Sequence, residues 1–339
     1  MEVAVITEPS SLVDNLLLIV AIFYILCFLV GLLLNSLLAK AAFTSKELRG
    51  VPHTLIGIRS VCDILHQSGH LPLLYSFVKE DSITQKQCYY LQFIPILAIL
   101  VGGAAVFLLC IDRVTAVLWP LRYRTAQSRS TVRTMLKLGV AGAIAAAGLV
   151  LAYEDTHSDK KVVCSIPAGL GPRPRLIFVL TLFVVAFLMA ILYLISAGVL
   201  KKHTCPSKRR RCIFRSVLWC ALISLVGWVL TALLNLILMV HAEFWMRKNQ
   251  PEAITLDGGF LFLSQATIEL LTQPTPRCLL LQIASGIILN LLCTMTYFAY
   301  FCLSCDYRRA LRSQWATIGW HPFQSLSETD STEVKPALV

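Results

Sequence analysis

Seven blocks of about 20 or more mostly apolar residues recur along the chain at fairly regular intervals, and they decide what it can fold into. At about 1.5 Å of rise per residue, a helix of that length crosses a hydrocarbon core of about 30 Å. The spans read as residues 12–43, 53–78, 86–118, 132–152, 174–200, 213–240 and 279–303. Only 14% of the chain is charged, against about 25% in soluble domains. So little charge cannot cover a surface that faces water. The expected fold is an all-α, seven-helix membrane bundle over residues 12–311, closed by a short interfacial helix. Residues 1–11 precede it, and a disordered tail over 312–339 follows. The first block is too long for a cleaved signal peptide and follows Glu2, Glu8 and Asp14 instead of a basic region.

Charge gives the orientation. With the N-terminus outside, the inner segments carry a net charge of +14 and the outer ones −3, so the chain's net +11 belongs to the inner face. Positive-inside bias then places the C-terminus inside, which an odd number of spans requires. Nucleic acid is the poorer explanation of this charge, because the basic residues sit in short loops beside apolar spans. The chain's 12 cysteines lie mostly within spans, where a small soft side chain packs well. Cys88 and Cys164 both fall on the outer side, where an oxidising compartment would let them pair.

A polar residue deep in a span is expensive and asks for a partner or a role. Asn35, Arg59 and Asp63 form an expected polar hub, and the i, i+4 spacing of Arg59 and Asp63 allows an ion pair. His66 and His70 extend the stripe outward. Asp63, His66 and His70 have the spacing of metal ligands, but a polar stripe facing the bundle interior accounts for them, and no metal is expected. In span 3, Cys88 and the Asp112-Arg113 pair stand 25 residues apart. That is about 37 Å of helix, one interface to the other. Pro95 should kink the span. Span 4 is rich in Ala and Gly, which suits close helix packing. The loop bearing Lys208-Arg209-Arg210-Arg211 reads equally as a headgroup-facing run or as a docking site for a partner. Apolar and basic residues at helical spacing from Cys302 to Leu311 suit a helix lying on the inner leaflet. Cys302 or Cys305 could be palmitoylated there. The tail offers Ser325, Ser327, Thr329, Ser331 and Thr332 among acids, a candidate phosphate cluster for a receptor kinase and arrestin.

Together these positions resemble the rhodopsin-like G-protein-coupled receptors, and more specifically the Srsx type of nematode serpentine chemoreceptor. The resemblance rests on Gly31-Leu-Leu-Leu-Asn35, Leu55-Ile-Gly-Ile, Asp63-Ile-Leu-His66, Gly69-His70 and Cys88-Tyr-Tyr-Leu-Gln-Phe-Ile-Pro95. Asp112-Arg113, Pro120, Tyr123, Tyr300 and Tyr307-Arg308 complete it. It implies that Arg113 engages a heterotrimeric G protein when the inner face opens, that Asp112 holds it at rest, and that Tyr123, Tyr193 and Tyr300 belong to the same switch. It also implies a Cys88–Cys164 tie from span 3 to the second outer loop, and Trp228 as the pocket floor. The expected pocket residues are Tyr89, Gln92, Phe93, Ile96, Trp228, Asn235, Gln282 and Asn290, a lining that suits a small molecule or a short peptide equally.

The departures from the pattern matter too. Val114 follows Asp112-Arg113 where Tyr is common, span 6 lacks a proline at Leu230, and Tyr297 stands where span 7 carries one. Gly102 and Thr296 replace polar ligands of the usual sodium site, so Arg59 is expected to neutralise Asp63. An opsin is excluded because no Lys lies between Arg277 and Arg308, and Pro95 replaces the Asp of amine receptors. No hydrolase or phosphate-loop motif points to an enzyme or a cofactor. The rival is a seven-span ligand-gated channel of the insect odorant-receptor kind. Its opposite orientation disagrees with the charge bias.

Overall fold

The computed structural model describes residues 11–46, 48–78, 83–119, 127–154, 161–202 and 276–317, together with Tyr123, Thr125 and scattered positions between 222 and 237. Helix α1 spans Ser11–Thr44, α2 Val51–Ser68, α3 Leu71–Val78, α4 Gln85–Leu118, α5 Gln127–Glu154, α6 Pro172–Lys202, α7 Pro276–Leu303 and α8 Cys305–Thr317. A two-residue strand β1, Ile83–Thr84, pairs antiparallel with β2, Lys161–Val162. The scattered positions of the expected sixth span are helical.

Among the described residues, five helices are long and apolar enough to cross a membrane: α1, α4, α5, α6 and α7. The second expected span divides instead of running unbroken from 53 to 78. Pro72 has no N–H to extend the ladder, and Gly69 and His70 close α2 with bonds to His66 O and Gln67 O. Lying in the 18 residues of α2, Arg59, Asp63, His66 and Gln67 also set it apart from the apolar five.

Helix α4 is the axis of the bundle. It packs on α2, α5, α6 and the 3₁₀ turn Ile166–Gly169, while α1 packs on α2 and α7. Thr84 caps α4 by accepting from Gln87 N, and the Gln87 side chain accepts from Thr84 N in return. The helix then runs on through Pro95 without a break. Many large apolar side chains face outward, as with Val132, Ile144 and Leu151 on α5, each at least 68% exposed. Lipid tails would cover them. Association between such helices therefore rests on packing and polar contacts and owes little to a hydrophobic drive.

The end of α7 and the start of α8 are tied locally. Arg308 donates to Phe301 O and Cys302 O, two of the terminal carbonyls of α7, which favour a cation. Tyr307, Leu311 and Trp315 bury one face of α8 against the core formed by α1, α2, α4 and α7. That packing carries α8 to Thr317, six residues past the point where a disordered tail was expected to begin.

Candidate functional site

The Cys88 end of α4 carries a roof. Cys88 is bonded to Cys164, with Cα atoms 5.4 Å apart. The β1–β2 pairing and a bond from Gln85 Nε2 to Leu170 O hold the 161–170 segment beside the start of α4. Ser165 and Ile166 thereby cover a cavity of about 100 Å³. Its walls come from Tyr24, His66, His70, Leu73, Ile99, Phe178, Leu182, Thr231, Ile283 and Asn290, among others, and are mainly apolar. Tyr24 stacks on His70 with ring centroids 4.0 Å apart, and its hydroxyl donates to Ile283 O.

Of the pocket residues expected from the sequence, Asn290 lines this cavity. The α4 residues do not, because their side chains are engaged on other faces of the helix. Tyr89 donates to Leu149 O of α5, and Ile96 and Phe93 pack into the α4–α5–α6 core. Gln92 donates to Gly69 O at 2.7 Å, in the break between α2 and α3, and lies 3.7 Å from Cys164 Sγ. Ile99 is the α4 residue at the cavity. Trp228 and Asn235 lie outside the described residues, as does the side chain of Gln282.

The second polar group lies midway along α2. Arg59 Nε donates to Asp63 Oδ2 at 3.0 Å and Nη2 stands 2.7 Å from Oδ1, a two-point contact in which Asp63 is buried and Arg59 mostly covered. Arg59 also reaches Cys293 Sγ at 3.6 Å. Glycine at 102 makes room for it, since a Cβ there would lie 2.9 Å from Arg59 Nη1. Asp63, His66 and Cys293 bring potential ligand atoms within 4.8 Å of one another, so Cys293 takes the place that spacing alone gave to His70. The guanidinium supplies a cation to this cluster from within the chain. Asn35, grouped with the hub by sequence, is fully buried but makes no hydrogen bond among the described residues.

Gln67, Thr294, Tyr24 and Cys293 carry contacts that the sequence reading passed over. Gln67 Nε2 donates to Asn290 O and Thr294 Oγ1, and Thr294 reaches Cys27 O, so the three link α1, α2 and α7. Gln67 fits so tightly against α1 that a Cβ on Gly31 would meet its Oε1 at 2.1 Å. The signal was present for one of them: Gln67 stands four residues after Asp63, on the same helix face.

The third group closes the far end of α4. Arg113 Nε donates to Asp112 Oδ2 at 3.0 Å, and Nη2 contacts the same carboxylate. Arg113 Nη2 donates to the Tyr123 hydroxyl at 3.0 Å, and that hydroxyl donates to Asp112 Oδ1 at 3.0 Å. Burial, partly offset by the Arg113 charge, pushes the Tyr123 phenol up to about 12, so it stays a neutral donor. Tyr300 packs against Tyr307 with centroids 4.9 Å apart, and Tyr307 meets His53 Nδ1 at 3.2 Å. Cys302 and Cys305 are exposed. Pro120 and the tail hydroxyls Ser325, Ser327, Thr329, Ser331 and Thr332 lie outside the described residues, as does the Tyr193 side chain.

A multi-pass helical membrane protein with a disulfide-roofed cavity at one end of its axial helix and a closed Asp-Arg-Tyr knot at the other has the build of a serpentine receptor. The family model described as serpentine type 7TM GPCR chemoreceptor Srsx matches residues 28–266, well over half of the chain. The chain belongs to that family. No curated protein matches it.

Proposed function

We propose that this chemoreceptor crosses the membrane seven times, with its N-terminus and cavity outside, and passes ligand binding to a heterotrimeric G protein at its inner face. The observation that carries this reading is the placement of Arg113. Asp112 and Tyr123 both hold its guanidinium, about 37 Å of helix from Cys88. A ligand that binds better to a form with the knot open shifts the population toward it. In that form Arg113 is released toward a partner, and the partner's affinity rises in reciprocal measure.

The +14 inner charge suits a position against anionic lipid, and Arg308 and Arg309 on α8 belong to that face. Phosphorylation of the tail would recruit arrestin by the same electrostatics. The test is Arg113→Ala in the full chain, with surface level and nucleotide exchange measured together. Retained surface level with lost exchange is the expected outcome; unchanged exchange would remove Arg113 from this role. A C-terminal tag reached by antibody on intact cells would overturn the orientation.

A further inference from the structure

We propose that Cys302 and Cys305 form a redox site at the junction of α7 and α8, a dithiol that hydrogen peroxide closes to a disulfide. The two cysteines bracket Leu303 and Ser304 as Cys-x-x-Cys, the spacing of dithiol redox motifs. Cys302 lies in the last turn of α7 and Cys305 opens α8.

Helical backbone bonds run across the junction, from Ser304 N to Tyr300 O at 3.0 Å and from Arg308 N to Ser304 O at 2.9 Å. Positions three apart on such a backbone share a face and have Cα atoms about 5 Å apart. That falls inside the window of about 4.4–6.8 Å that a disulfide spans. Both thiols are exposed, whereas Ser304, Asp306 and Tyr307 turn inward. Among the described residues, the other unbridged cysteines, Cys27, Cys62, Cys110 and Cys293, are buried. Arg309 is exposed one turn beyond Cys305 on the same face. A charged side chain there belongs among headgroups and not in hydrocarbon, so water and small oxidants reach the pair.

Cys305 suits the attacking role, because the first residue of α8 stands at the positive end of that helix, which favours a thiolate. Its sulfur attacks one peroxide oxygen. The O–O bond breaks, a sulfenic acid forms, and the departing hydroxide takes the thiol's proton to become water. The Cys302 sulfur then attacks the Cys305 sulfur, the S–S bond forms, and the sulfenic hydroxyl leaves with the second thiol proton as another water. The sulfurs give up two electrons together, and the peroxide takes both. Thiols inside the cell are kept reduced, so a bridge here is transient and reports oxidant instead of holding the fold. The inner placement rests on the orientation proposed above; the chemistry does not.

Closing the bridge draws the Cβ atoms from about 5–6 Å to about 4 Å. The turn that gives way is the one where Ser304 Oγ accepts from Tyr307 N and Arg308 holds Phe301 O and Cys302 O. Oxidation therefore bears on the hinge that seats α8.

The full chain in lipid nanodiscs is treated with a mild reductant and then with hydrogen peroxide. Free thiols are alkylated, and the peptides are read by mass spectrometry. The peptide holding Cys302 and Cys305 should lose two hydrogens and both alkylation sites, and dithiothreitol should restore them. Cys302→Ser should stop at a sulfenic acid on Cys305, which dimedone traps. Exchange of the Tyr307 and Arg308 amide hydrogens should be at least about fivefold faster in the bridged form, as loss of a hydrogen bond predicts.

Thiols that stay open to alkylation after peroxide overturn the proposal, as does a bridge from either one to any other cysteine. So does the absence of sulfenic acid on Cys305 in Cys302→Ser. An acyl chain on either thiol in most receptor taken from cells also overturns it, since an acylated sulfur cannot bridge. Unchanged amide exchange overturns the coupling to α8. If the bridge forms as stated while a C-terminal tag proves extracellular, the redox site stands and the proposed orientation falls.

Discussion

The Trp315 indole N–H donates to the Tyr297 hydroxyl at 2.7 Å, joining α8 to α7 across 18 residues of chain. Tyr297 occupies the position where the resemblance leads one to expect a proline, and its ring also stacks on Phe301. A tyrosine there keeps the backbone donor that a proline would lose and supplies a hydroxyl that α8 uses. Removing either partner, by Trp315→Phe or Tyr297→Phe, should cost about 0.6 kcal/mol and at most about 1.7, the range for polar contacts between membrane helices. The double variant should lose no more than the larger single loss, as expected of two groups sharing one bond. Unfolding of the three variants in bicelles checks this; additive losses would mean that the bond contributes nothing.

Sodium should leave this receptor indifferent. The Arg59 guanidinium makes a two-point contact with Asp63, so a positive charge already stands against the carboxylate. Ligand affinity measured in sodium and in an equal concentration of a bulky organic cation should agree within about twofold, the effect of a few tenths of a kcal/mol. Gly102→Val should displace Arg59 and lower the melting midpoint, because leaving a buried charge imperfectly paired costs several kcal/mol. Retention of the wild-type midpoint would show that the space beside Gly102 is not needed.

Tyr123→Phe removes one hydroxyl that serves both Arg113 and Asp112. Basal nucleotide exchange should rise by about twofold to tenfold, the effect of losing bonds worth about 0.5–1.5 kcal/mol in the closed form. The phenol's upward shift also fixes a sign. The folded form holds this proton more tightly than the unfolded chain. The stabilisation is complete below pH 10 and fades as pH rises through about 12, so this phenol keeps its proton at physiological pH. Basal exchange that varies with pH between 6 and 8 must then come from another group.

Cys164→Ser should uncouple the roof from α4. The β1–β2 pair holds only two residues on each side, too little to fix the segment once the covalent tie is gone. Closing a loop of 76 residues with a disulfide is worth about 2–5 kcal/mol. Binding in the cavity should weaken by at least about tenfold, and Cys88→Ser should match it. A Cys164→Ser receptor with wild-type affinity would show that the roof does not shape the site.

Much of this molecule was legible in the residues alone. The apolar blocks located α1, α4, α5, α6 and α7, and the i, i+4 spacing of Arg59 and Asp63 gave their contact, because both signals depend on one helix at a time. Cys88 and Cys164 were legible from the side of the membrane that the charge pattern assigns to both. The cavity was not, because it depends on how helices are rotated against one another. The Tyr24–His70 stack joins α1 to the α2–α3 break, and nothing local to either residue announces it. Tyr89, Phe93 and Ile96 look like a pocket face on α4 until α5 and α6 take that face. The break in the second span, expected to run unbroken from 53 to 78, was missed, because its purpose lies elsewhere: Gly69 O accepts from Gln92 on a different helix.

The contact between Gly31 and Gln67 has a meaning for inheritance. No side chain fits at 31 while Gln67 reaches between α1 and α7, so position 31 cannot enlarge until position 67 has shortened. A lineage that shortens the amide first gains freedom at the glycine; one that changes the glycine first loses the bridge. Relatives should therefore carry a larger residue at 31 only beside a short one at 67, and a larger residue beside a long amide should be missing among them.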